Sequence, residues 1–262
     1  MHTILLLCAA IGTPFWLVER FRAVRRLAPW SQGVLGFAVS LVPIAALLLI
    51  TRSFVVEPYV VPSSSMRPGL EVGDFVLVDK LTYGLRLPLS NKLVWNVSTP
   101  NRADILVFRF PLDRSKAYIK RVIGLPGDII EYKAGILYIN NKIVDMVGGV
   151  RYEYVDGDSG VTTIATSLTQ RIDQIPFDIL SDAQDKELGR GSDFPEITGC
   201  ERKPEGVKCL VPKDAFFVLG DNRRDSLDSR YWGFVHQTDI IGRALYSVSI
   251  DRLNIRIKRI TN

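Results

Sequence analysis

The feature that most constrains this chain is a stretch of 25 consecutive residues without a charge, residues 27–51. A helix rises about 1.5 Å per residue, so about 20 apolar residues suffice to cross the hydrocarbon core of a bilayer. The run therefore predicts a membrane-spanning helix over residues 31–51, with Pro43 tolerated inside it where neighbouring groups satisfy the freed carbonyl. A second apolar run, residues 4–18, predicts an earlier spanning helix over residues 1–18. A cleavable leader would carry positive charge before such a run and a small-residue cleavage site after it. Here no Lys or Arg precedes the run, while Arg20, Arg22, Arg25 and Arg26 follow it. Those four arginines predict a cytoplasmic loop over residues 19–30, which places everything beyond residue 51 on the opposite side of the membrane.

The distribution of charge narrows the partners. The chain carries a formal charge of +5 and a pI near 9.1, values that on their own suggest nucleic acid. Residues 1–52, however, hold five Arg against one Glu, which leaves 28 basic and 27 acidic groups in the remainder. The basic excess is a topology signal, so a lipid bilayer is expected as a partner and nucleic acid is not. With 47% hydrophobic residues in 262, the chain has ample material for a core, and disorder is excluded.

Beyond residue 51 the text is mostly β. Apolar residues alternate at Phe75, Val76, Leu77 and Val78, at Ile105 to Phe108, at Ile136 to Ile139 and at Asn254 to Ile257. Asn140-Asn141 reads as a two-residue hairpin turn, because Asn tolerates positive φ. Composition shifts towards Asp, Gly, Ser and Thr after about residue 145 and returns to apolar strand text near residue 210. The expected organisation is a catalytic core in two parts, residues 52–128 and 211–262, with an inserted β subdomain over residues 129–210. Cys8 falls in the first apolar run. Cys200 and Cys209 flank a short Gly-, Lys- and Glu-rich loop and are a candidate disulfide. A zinc site is disfavoured, since two histidines and no further cysteine leave too few ligands.

Histidine chemistry is nearly excluded as well. His2 opens the chain, and His236 reads as a surface or structural residue. Phosphate-binding glycine loops, HExxH and CxxC are absent from the sequence, so no metal or cofactor is expected. Serine and lysine remain. Pro62, Ser63, Ser64, Ser65, Met66, Arg67, Pro68 and Gly69 place three hydroxyls between two prolines, pinned by apolar text on both sides. Tyr118, Ile119, Lys120, Arg121 and Val122 put a lysine in an apolar strand, with Arg121 facing the other way by alternation. Burial disfavours the charged amine, and a drop of about 3 pKa units corresponds to roughly 4 kcal/mol. The resulting neutral amine could take a proton from a serine hydroxyl. A third segment, residues 220–233, is dense in Asp, Asn, Ser and Arg, with Asp228 and Arg230 as a candidate clamp.

Together these segments resemble the P-S-x-S-M, Y-I-K-R and G-D-N-R-x-x-S-x-D-S-R boxes of the type I signal (leader) peptidases, in their Gram-negative form. The resemblance covers residues 52–128 and 211–250. It implies a signal-peptidase-type β fold, anchored by the two helices at the bacterial inner membrane with its catalytic domain on the periplasmic side. It also implies an endopeptidase that removes signal peptides from exported preproteins, with the export translocon as a possible neighbour. Ser65 matches the nucleophile and Lys120 the general base. Ser63 matches the hydroxyl that joins the Ser65 N–H in the oxyanion hole. Gly220, Ser226, Asp228 and Arg230 match supporting positions, Ser226 orienting the lysine. Val61, Met66, Leu70, Tyr118 and Ile119 match the pocket for the residue before the cut, while Val76 and Val107 match the wall of the pocket two residues earlier. Bulky walls leave room for small side chains, as in A-x-A-like sites.

The chain departs from the family pattern twice. Ser64 stands where many members have Gly, and Arg224-Asp225 stands where Asp-Asn is more usual. Among rivals, a self-cleaving repressor would carry a DNA-binding domain at the N-terminus, and penicillin-binding enzymes need S-x-x-K with K-T-G. The remaining alternative is a membrane-anchored β domain that binds partners without catalysis, including an inactive peptidase paralogue.

Overall fold

The computed structural model describes residue 37 and residues 41–87, 91–155, 160–181, 196–203, 205–251 and 254–260. Helix is scarce. α1 spans Val42–Ile50, continues into one π turn over Thr51–Val55, and gives way to extended backbone at Val56. α2 is a single turn, Ser229–Trp232.

These helices correct the expectation of two membrane spans. The first run and the basic loop lie outside the described residues, as does most of residues 31–40. Among the described residues, no helix is long and apolar enough to cross a membrane. A nine-residue helix rises about 14 Å, roughly half of a bilayer core. Among the described residues the architecture is mainly β with two short α-helices, which does not support a multi-pass arrangement. α1 does expose Ile44, Leu47, Leu48 and Ile50.

The main sheet has eight strands. Its path runs β1 (Val56–Val60), β2 (Phe75–Asp79), β17 (Ile240–Asp251), β5 (Ile105–Phe110), β6 (Asp113–Gly124), β15 (Ala215–Leu219) and β16 (Val235–His236), with β18 (Asn254–Arg259) paired to β17. β3 (Gly84–Arg86) and β4 (Leu93–Asn96) form a separate pair. Residues between β6 and β15 build two smaller sheets. One contains β13 (Cys200–Lys203), β14 (Gly206–Leu210), β7 (Ile129–Lys133), β8 (Ile136–Ile139) and β9 (Lys142–Ile143). The other contains β10 (Met146–Val155), β11 (Thr162–Ile172) and β12 (Ile175–Ser181). Cys200 and Cys209 face each other across β13 and β14 and are disulfide-bonded. Asn140 and Asn141 turn β8 into β9 at φ of 52° and 64°.

Two features of this sheet position the site. β15 pairs with β6 only at Arg121, Val122 and Gly124, so the stretch Tyr118 to Lys120 has β5 on one side and no strand partner on the other among the described residues. The apolar core is divided. Val61, Met66, Leu70, Val76, Val78, Ile105, Val107 and Ile119 pack together near the start of the sheet. Another cluster, around Ile123, Phe217 and Leu219, joins the main sheet to the five-stranded one.

Candidate active site

Two prolines bound the loop after β1, and within it Ser64–Met66 form one 3₁₀ turn, closed by the Arg67 N–H donating to the Ser64 carbonyl. This turn buries the Ser65 hydroxyl inside the protein while Ser63, in extended backbone, stays exposed. Lys120 comes from β6 and donates from Nζ to Ser65 Oγ at 2.6 Å and to its neighbour's carbonyl, Ile119 O, at 3.1 Å. Ser63 Oγ donates to Ser65 Oγ at 3.3 Å. Lys120 is 4% exposed. Burial lowers its pKa to about 8, against the opposing pull of Asp228 and Asp221. An amine of this kind is partly neutral near physiological pH and can accept a proton from the hydroxyl it touches.

The segment after β15 encloses this pair. Burial would raise the Asp228 carboxyl, but the Arg230 guanidinium, reinforced by hydrogen bonds, holds it below the usual carboxylate range. Arg230 donates to both Asp228 oxygens, at 2.8 and 2.9 Å, and the Gly220 N–H and Ser226 Oγ donate to Oδ2 at 3.0 and 2.8 Å. Asp228 also caps α2 by accepting from the Arg230 N–H. Ser226 thus bonds Asp228, and the partners of Lys120 Nζ among the described residues are Ser65 and Ile119 O. Gly220 is required by close approach. A Cβ there would lie 2.2 Å from Ser226 Oγ and 2.5 Å from the Ser65 carbonyl.

Of the seven residues matched to substrate pockets, Val61, Met66, Leu70, Val76, Val107 and Ile119 share one buried cluster. Tyr118 faces the other side of β6 and stacks on Phe110 with ring centroids 4.4 Å apart.

Three groups of contacts were not read from the sequence. Arg121 forms a two-pronged pair with Asp221, at 2.7 and 2.6 Å, directly behind the site. Asn222 donates its N–H to the Ser65 carbonyl and its amide to the Ser64 carbonyl and to Tyr154 Oη on β10. Ser64 Oγ donates to the Asp225 carboxylate. The 221–222 density of polar groups was visible, but nothing local in the sequence ties it to Tyr154.

The sequence matches the family described as "Signal peptidase, peptidase S26" over residues 34–248. It is 36% identical over 219 residues to a signal peptidase I of Pseudomonas fluorescens, covering 79% of this chain and 70% of that one. It is 31% identical over 263 residues to a signal peptidase I of Haemophilus influenzae, covering 84% and 71%. A solved signal peptidase I of Enterococcus faecalis is 26% identical and covers 56% of this chain and 98% of its own, with a TM-score of 0.30. The chain belongs to the peptidase S26 family of signal peptidases.

Proposed function

We propose that this signal peptidase cleaves by a Ser65–Lys120 dyad, hydrolysing preproteins after small residues. The observation that carries the reading is the 2.6 Å contact between a buried lysine amine and a buried serine hydroxyl. Neutral Lys120 removes the proton as Ser65 Oγ attacks the scissile carbonyl, forming a tetrahedral intermediate. The lysine ammonium then protonates the departing amine. In deacylation Lys120 takes a proton from the water that attacks the ester, and returns it to Ser65 Oγ as the ester C–O bond breaks and the acid product leaves. The Ser63 hydroxyl, beside Ser65 Oγ, and the Ser65 N–H stabilise the oxyanion. The substrate lies extended along β6 at Tyr118 to Lys120, where the edge away from β5 has no strand partner among the described residues, with main-chain hydrogen bonds supplying affinity. The buried apolar side chains of Val61, Met66, Leu70 and Ile119 would wall the pocket, which favours small side chains before the cut. The apolar side chains exposed on α1, a few residues before β1, support work at a bilayer surface, which this reading takes to be the periplasmic side of an inner membrane. The translocon would then be a near neighbour.

The test is cleavage of a preprotein by Ser65→Ala and Lys120→Ala, full-length and in detergent. Each variant is expected to lose turnover while still unfolding in a single cooperative thermal transition. Full activity in either one overturns the dyad.

A further inference from the structure

We propose that Ser64 and Asp225 form a positioning pair that holds the Ser65 hydroxyl in register with Lys120. The inference rests on the Ser65–Lys120 reading and deepens it. Three adjacent hydroxyls occupy this loop, and the structure gives each a different partner. Ser65 Oγ meets the lysine, Ser63 Oγ meets Ser65, and Ser64 Oγ donates to the Asp225 carboxylate. Ser64 is buried, so this hydroxyl has a fixed geometry rather than a solvated one. Asp225 is itself tied down, its N–H donating to Asn222 Oδ1, and Asn222 holds the carbonyls of Ser64 and Ser65. The pair therefore closes a ring that joins the serine turn to the segment after β15 from both side chain and backbone. A small rotation of the 3₁₀ turn would carry Ser65 Oγ away from Nζ, and a displacement of about 1 Å can cost about a hundredfold in rate.

Asp225 also brings a charge. The ionised groups that act on Lys120 are Asp228, Asp221 and Asp225, which favour its ammonium, and Arg230, which opposes it. Asp228 is paired with Arg230 and Asp221 with Arg121. The turn itself presents only hydroxyls to the amine, and its own strand adds the Tyr118 ring at 5.5 Å. Removing the Asp225 charge without removing its acceptor oxygen separates the two roles.

The experiment measures kcat and KM for a preprotein against pH, with the full chain in detergent, for Ser64→Ala, Asp225→Ala, the double variant, Asp225→Asn and the control Ser65→Ala. Ser64→Ala and Asp225→Ala are expected to lower kcat roughly tenfold or more, with KM little changed. The double variant should be no worse than either single one, because both remove the same bond. Asp225→Asn keeps an acceptor and is expected to restore kcat at high pH while moving the acid limb to lower pH. A purely structural contact would not move that limb. Wild-type kcat in Ser64→Ala, no recovery in Asp225→Asn, or an unmoved limb overturns the pair. Turnover in Ser65→Ala would instead overturn the dyad reading beneath it.

Discussion

Lys120 Nζ stands 2.6 Å from Ser65 Oγ, the amine carried by an interior strand of the main sheet and the hydroxyl by a short turn beyond its edge strand. Burial sets the pH at which this contact can work. With the Lys120 pKa lowered to about 8, the ammonium predominates below that value and the neutral base above it. kcat/KM for a preprotein is expected to climb about tenfold per pH unit below the limb and to level off above it. A flat profile from about pH 6 to about pH 10 contradicts this assignment.

The same burial has a stability consequence of opposite sense. An unfolded lysine titrates near its ordinary value of 10.5 and the folded one at about 8. Between these values the unfolded chain binds the extra proton, so stability rises with pH through that window and the full penalty applies below it. At 1.36 kcal/mol per unit the penalty is on the order of 3 kcal/mol. Lys120→Met is therefore expected to be inactive yet to melt higher than wild type at pH 6.5, with the gap closing towards pH 10. A lower Tm at pH 6.5 would contradict a buried, strained amine.

How much of this was legible beforehand depends on distance along the chain. Alternation in the Lys120 strand separated Lys120 from Arg121, and the structure has one meeting Ser65 and the other Asp221. The Asn140-Asn141 turn and the strands at residues 75–78, 105–108 and 136–139 were readable because their signals are local. The bonds from Asn222 to Tyr154 and from Ser64 to Asp225 were not, since they join segments 68 and 161 residues apart with no repeating pattern between them. The helix was misjudged for a different reason. Hydropathy reports which solvent a residue prefers, not how long a helix is, and among the described residues α1 covers only nine residues before its π turn, too few to cross a membrane.

Gly220 offers a steric test of the site. A methyl group there meets Ser226 Oγ and the Ser65 carbonyl well inside contact distance. The first belongs to a buried side chain and the second to backbone of the serine turn, so Ser226 and the turn must shift. Gly220→Ala is expected to destabilise by about 1–3 kcal/mol and to lower kcat by about a hundredfold. Thermal melts and single-turnover rates on the same preparation separate the two effects. Wild-type kcat would show that the turn can move without harm.

Asp228 should behave as a structural anion. It is fully buried, and Arg230 beside it is 3% exposed. Asp228→Asn leaves that guanidinium with no counter-charge, a change worth about 3–5 kcal/mol. Because the folded carboxyl titrates below its unfolded value, its contribution is present above an unfolded pKa of about 3.9 and fades as pH falls through the folded one. Denaturant midpoints of the variant and wild type are thus expected to differ at pH 7 and to converge in acid. Equal midpoints at pH 7 would show that the pair contributes nothing.

Tyr154 tests whether the three-stranded sheet β10–β12 takes part in positioning the site. Its hydroxyl accepts from Asn222 Nδ2 at 3.0 Å, and its ring lies 4.8 Å from the Arg67 guanidinium. Arg67 in turn donates to Val155 O, and Tyr152 Oη donates to Glu71, so strand β10 is fastened along the loop that follows Ser65. Tyr154→Phe keeps the ring and removes only the acceptor for Asn222. It is expected to cost about 1 kcal/mol of stability, as for a single lost hydrogen bond. The Asn222 amide then loses one of its two acceptors, and the clasp on the Ser64 and Ser65 carbonyls loosens. A several-fold fall in kcat with unchanged KM is the expected signature, because substrate contacts are untouched while the hydroxyl wanders from the amine. Unchanged kcat would reduce the role of this sheet to packing.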